Sequence, residues 1–163
     1  MWKTFAGLAL LGGSLEILGA LLSPWFSPVQ LEPLYVATDL SLLFGLLALY
    51  LPVQERLGRL GLLGFCLSLG GFGLIAGPEA PLFGISAYWL GKPIIGVGIL
   101  LLAGRLWQRQ AQSRLVAGLL LLSVLVGALA MLGLAAALLV VLSGLLFGSG
   151  FFFLGLRLLR APA

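Results

Sequence analysis

The chain of 163 residues is 61% hydrophobic and only 9% charged, with a mean hydropathy of +1.21, far from the half-apolar, quarter-charged balance of soluble domains. Its net charge of +4 comes from nine basic residues spaced singly between apolar runs, which leaves no basic patch or stripe for nucleic acid. No histidine and one cysteine, Cys66, exclude disulfides within the chain, thiolate zinc sites, imidazole haem ligation and histidine-based triads, so neither metal nor cofactor is expected.

The lipid bilayer is therefore the expected solvent. A helix needs about 20 apolar residues to cross a ~30 Å hydrocarbon core. The first such segment lies in "MWKTFAGLALLGGSLEILGALLS". Glu16 interrupts the run and no small-residue cleavage pattern follows, so residues 4–22 read as a retained span and not as a cleaved signal. "SPWFSPVQLEP" breaks the chain before a second span at 34–51, "PVQER" before a third at 57–76, and "GPEAP" before a fourth at 84–103. "RLWQRQAQSR" precedes a fifth at 115–132. Only Gly133 marks the next boundary. The unbroken apolar run there is about twice one crossing, which predicts a tight turn at 131–135 and a sixth span at 134–156.

The expected fold is an all-α integral membrane bundle of six transmembrane helices in a single domain over residues 1–163. Lys and Arg are enriched in cytoplasmic loops. With six spans, Lys3, Arg56, Arg59, Arg105, Arg109, Arg114, Arg157 and Arg160 all fall on one side, and only Lys92 does not. Both termini are then cytoplasmic, in a multi-pass protein of a bacterial cytoplasmic (inner) membrane. Trp2, Tyr50 and Trp107 are expected in the inner aromatic belt, with Trp25 and Trp89 in the outer one. The 24 glycines point to closely packed spans, and the Gly144/Gly148 pair in "GLLFGSG" to a close contact within the protein or with another copy.

Three charges remain inside the predicted spans: Glu16, Asp39 and Lys92. Their expected depths from the outer ends are about 9, 8 and 12 Å at 1.5 Å per residue. A charge at a span centre costs roughly 2.5–3.5 kcal/mol on insertion scales, so charges of opposite sign at similar depth are expected to be mutual partners. Glu16 shares a face with Gly12, Gly13, Gly19 and Ala20, a small-residue stripe that marks a helix contact. Tyr35 precedes Asp39 by four residues and Tyr88 precedes Lys92 by four, so each ion has a phenol on its own face. Pro93 removes a backbone donor and crowds the carbonyl of Trp89, which predicts a kink or break near residues 90–92. Interrupted spans carrying polar groups are where transporters often bind ligands.

Simpler readings stand beside these. The fourth helix begins at Pro93, proline being favoured at the first helical position, and leaves Lys92 at the interface; or Asp39 caps the second helix in "TDLSLLFG". A third alternative makes the cluster an ion-pair staple that fixes helix register. Ser14, Ser41, Cys66, Ser68, Ser123, Ser143 and Ser149 read as interhelical hydrogen-bonders or small packing residues. No nucleophile motif supports a Ser–Lys dyad of Lys92 with Ser14, Ser41 or Ser86, so no catalytic residue is assigned.

Setting Gly45 against Gly98 places Asp39 and Lys92 at matching positions of two similar hairpins, an internal pseudo-repeat. At this same stretch, "LLFGLLALYLPVQERLGRLGLLGFCLSLGG", the chain resembles a diffuse group of uncharacterised bacterial polytopic membrane proteins. The resemblance covers about a fifth of the chain; it implies a bacterial inner-membrane setting and no activity. The expected function is non-enzymatic: binding or transport of a small anionic solute, coupled to protons or another ion, at Glu16, Asp39 and Lys92 with Tyr35 and Tyr88 as walls and Pro93 as hinge. The alternative is an accessory subunit of a larger membrane complex, or a homo-oligomer, in which the charges lock helices.

Overall fold

A computed structural model describes residues 2–76, 81–82, 85–109, 113–133 and 135–160. Six long helices account for nearly all of them: α1 (Trp2–Leu22), α2 (Pro28–Tyr50), α3 (Gln54–Ile75), α4 (Ala87–Arg109), α5 (Arg114–Met131) and α6 (Ala136–Arg160). Two short strands, β1 (Pro81–Leu82) and β2 (Ile85–Ser86), pair antiparallel between α3 and α4, with Pro81 opposite Ser86 and Leu82 opposite Ile85. Five segments are long and apolar enough to cross a membrane: Lys3–Leu22, Val29–Ile75, Ala87–Arg109, Arg114–Met131 and Ala136–Arg160. The fold accords with a multi-pass membrane protein, in which helices satisfy every backbone group internally.

The second of those segments is not one rod. A 3-10 turn at Leu51–Val53 carries Pro52, and Gly58 takes φ 64° and ψ −165° inside the start of α3, a conformation open almost only to glycine. The reversal is read from one contact. The rings of Tyr50 and Phe65 stack with centroids 4.3 Å apart, whereas a straight helix would separate residues 50 and 65 by about 22 Å. Tyr50 is consequently buried and does not join an aromatic belt. Trp107, Trp25 and Trp89 are exposed, while the Trp2 side chain lies outside the described residues.

α2 starts earlier than its hydrophobic pattern predicts. Pro28 occupies the favoured first turn, and the Ser27 N–H and hydroxyl both donate to Gln30 Oε1, at 2.9 and 3.1 Å, closing the helix start. The segment "PVQLEP" is thus the first turns of a helix, with Pro33 inside it. Asp39 does not cap this helix, since it lies well within α2. Nor does the fourth helix begin at Pro93: α4 starts at Ala87 and runs through Pro93 without a break. The turn between α5 and α6 falls where expected, with Gly133 at φ 81° and Ala135 at φ 42°.

Each helix packs on its neighbour in sequence, and α6 returns to α1. Two of these contacts are seams of small residues, spaced by seven along α3, α4 and α1 and by seven and then four along α6. Between α3 and α4, Gly64 faces Gly98 and Gly71 faces Gly91; between α1 and α6, Ala6 faces Gly155, Gly13 faces Gly148 and Ala20 faces Gly144. A strict seven-residue repeat keeps a seam turned toward its partner along the helix, and small residues let two backbones approach. The Gly144/Gly148 pair thus makes its close contact within the protein. Phe72, Phe147 and Phe151 fill the interior, with centroids 6.5 Å apart for Phe72 and Phe147 and 5.2 Å for Phe147 and Phe151. Gly45 meets Ala9 and Phe151, whereas Gly98 meets Gly64 and Ser68, so the two glycines aligned in the pseudo-repeat have different surroundings.

The hydroxyls divide between local and interhelical roles. Ser143 donates to the Ser123 carbonyl across α6 and α5 at 2.9 Å. Ser14, Thr38 and Ser123 bond carbonyls of their own helices. Ser68 is buried without a hydrogen bond against Gly98, and Cys66 is exposed.

Candidate functional site

The seams and the reversal decide where the intramembrane charges lie. Glu16 sits six residues before the end of α1, Asp39 inside α2, and Lys92 five residues after the start of α4. Because consecutive helices run in opposite directions, these three positions fall at similar levels, between the middle of α2 and the end where α1 stops and α4 starts. Glu16 lies in the electrostatic field of both Asp39 and Lys92, and Asp39 in that of Lys92. Tyr35 is coupled to Glu16 and to Tyr88. The five residues singled out in the sequence therefore share one neighbourhood drawn from three helices.

None of them bonds another charge. Among the described residues, no carboxylate oxygen of Glu16 or Asp39 lies within 4.0 Å of Lys92 Nζ, and none of the three charged side chains makes a hydrogen bond. Lys92 stands over the face of its own-helix neighbour Tyr88, with Nζ 4.2 Å from the ring centroid, a cation–π contact that holds an ammonium without neutralising it. Its side chain is exposed, while Glu16 and Asp39 are half-buried. The Ser–Lys dyad finds no hydrogen bond, for Ser14 donates instead to the Leu10 carbonyl.

The small-residue face of α1 fixes the remaining geometry. Glu16 points its Oε1 toward Gly144 of α6, where an added methyl would lie 3.3 Å from that oxygen. Tyr35 packs on Gly19, its Cε1 being 3.2 Å from where a methyl would stand. Gly144 was legible as a packing residue through its GxxxG spacing, but its place beside a carboxylate depends on the register of α1 against α6. No cluster of three or more His, Cys, Asp and Glu suited to a metal occurs among the described residues. No family model, curated protein or solved structure matches this chain. The functional reading therefore rests on the site itself.

At the opposite end the basic residues are less scattered than the sequence implies. Pairing α3 against α4 brings Arg56, at the start of one, to Arg105 and Arg109, at the end of the other, around an open cleft of about 430 Å³ that Glu55, Leu57 and Gly58 also line. Arg157 Nη1 donates to Ser113 Oγ at 2.7 Å, tying the end of α6 to the start of α5.

Proposed function

We propose that the protein is a six-span protein of the bacterial cytoplasmic membrane, both termini cytoplasmic, that binds or transports a small solute in an ion-coupled manner through Glu16, Asp39 and Lys92. The reversal at residues 51–58 supports the span count, because it divides the apolar segment Val29–Ile75 into helices of about 35 Å before it and about 26 Å after it, the second near the lower limit for a crossing. The segregation of every basic residue except Lys92 supports the orientation.

One observation carries the reading: charges of both signs are gathered from three helices and left unbonded. A staple stabilises through direct contact, and a cation and carboxylate kept apart gain little of it. The glycine seams already hold α1 against α6 and α3 against α4, so register needs no ionic lock. Leaving charges unpaired in an apolar bundle is costly, and a binding role explains why the cost is borne. In this mechanism Lys92, held open over Tyr88, attracts an anionic group. Asp39 or Glu16 exchanges a proton with the outer aqueous phase, and the hydroxyls of Tyr35 and Tyr88 orient the solute. The protein acts by binding and not by bond chemistry.

The test is proton movement in liposomes containing the purified protein and an internal pH dye, under an imposed pH gradient. Proton entry is expected to exceed that of protein-free liposomes and to fall to that baseline in Glu16→Gln or Asp39→Asn. Equal entry with wild-type and both variants would refute the proposed role of the carboxylates.

A further inference from the structure

The arginine cleft at the other end of the molecule is independent of the Glu16 site. Three guanidiniums, of Arg56, Arg105 and Arg109, face it with one carboxylate, Glu55. Glu55 neutralises none of them, for it has no basic group within 4.0 Å among the described residues. Arg105 is committed only in part. Its Nη1 donates to Gln108 Oε1 at 3.2 Å, while its Nε is buried with no hydrogen-bond partner. With three arginines and one acidic residue around it, the cleft carries an excess of positive charge that an anionic acceptor would balance.

Gly58 also lines the cleft. With φ 64° and ψ −165° it interrupts α3, and an added methyl would meet nothing within 4 Å. An acceptor matched to several guanidiniums is a phosphate, whose oxygens accept paired N–H groups from arginine. The surroundings select its source. The cleft lies where the helices end, and exposed apolar side chains of the same two helices, Leu60, Leu62 and Leu63 on α3 and Trp107 on α4, lie next to it in sequence. Basic pockets between helices at a membrane surface suit anionic lipid headgroups, and only a lipid brings acyl chains that could lie along these leucines; a free phosphate ion would leave them uncovered.

We infer that the cleft formed by Arg56, Arg105 and Arg109 binds the phosphate of an anionic phospholipid, whose chains lie against α3 and α4. The full-length protein in a neutral detergent would be titrated with phosphatidylglycerol, with phosphatidylcholine of the same chains, and with inorganic phosphate. Bound lipid would be counted by native mass spectrometry, and stability followed by thermal unfolding. Phosphatidylglycerol is expected to be retained in preference to phosphatidylcholine and to raise the Tm. Arg105→Gln and Arg109→Gln are each expected to weaken it about tenfold, and Arg160→Gln, which removes an equal charge elsewhere, to leave it unchanged. Arg109 is exposed, so its variant tests the site even where Arg105→Gln does not fold. Equal retention of the two lipids, stabilisation by inorganic phosphate alone, or indifference to Arg109→Gln would overturn the inference.

Discussion

Replacing Gly98 by alanine tests the packing on which both ends of the molecule depend. A methyl at this position would contact the Ser68 hydroxyl and stand 2.5 Å from the Ser68 backbone nitrogen and 2.7 Å from the Gly64 carbonyl oxygen. Two of the three are backbone atoms of the facing helix, so turning the Ser68 hydroxyl aside does not relieve the clash; α3 and α4 must separate along the seam. Overpacking of this kind costs about 1–3 kcal/mol. Gly70, on the same α3, has nothing within 4 Å of an added methyl, and alanine there removes the intrinsic helix penalty of glycine, ~1 kcal/mol in water. The two variants should therefore differ by about 2–4 kcal/mol, in opposite directions from wild type. Reversible unfolding in mixed micelles, followed by circular dichroism, measures the difference. Equal stabilities for Gly98→Ala and Gly70→Ala would show that the seam is not the closely packed contact described.

Topology is open to labelling. In a Cys66→Ala background, Ser27→Cys should react with a membrane-impermeant maleimide in intact cells, whereas Gln54→Cys and Gln108→Cys should react only after permeabilisation. Labelling of Gln108→Cys from outside would favour five crossings. Removing the interhelical hydrogen bond of Ser143 to the Ser123 carbonyl by Ser143→Ala should lower stability by about 0.6 kcal/mol, typical of such bonds in membranes. No change in the same micelle assay would mean that the two helices are held by packing alone.

Much of the architecture was legible in the sequence because hydropathy and breakers act locally. The turn at Gly133 follows from length alone, since an apolar run twice the bilayer thickness must fold back. The start of α2 was placed too late because Pro28 and Pro33 read as chain breaks, whereas Ser27 and Gln30 make the first a helix start. The same reasoning at Pro93 expected a kink or break, and α4 runs through that residue as one helix.

The candidate site was legible as a set of residues and not as a geometry. Stray charges in apolar segments are conspicuous by composition, and the tyrosines four residues before Asp39 and Lys92 follow from helix periodicity. That Lys92 would rest on a ring face and not on a carboxylate depends on the separation between α4 and the pair α1 and α2. That separation is a tertiary property. The arginine cleft escaped detection for a similar reason, because Arg56 and Arg105 meet only once α3 and α4 are paired.

The central claim is that the intramembrane charges are held apart for a purpose other than stability, and stability itself tests it most directly. Asp39→Asn, Lys92→Met and the double variant would be unfolded in the same micelles. Because neither group has a direct ionic partner, each single neutralisation is expected to leave the folded state as stable as wild type or more so, with the double variant equal to the sum. Two destabilised single variants and a restored double variant would instead reveal an ion-pair staple, and would contradict the account.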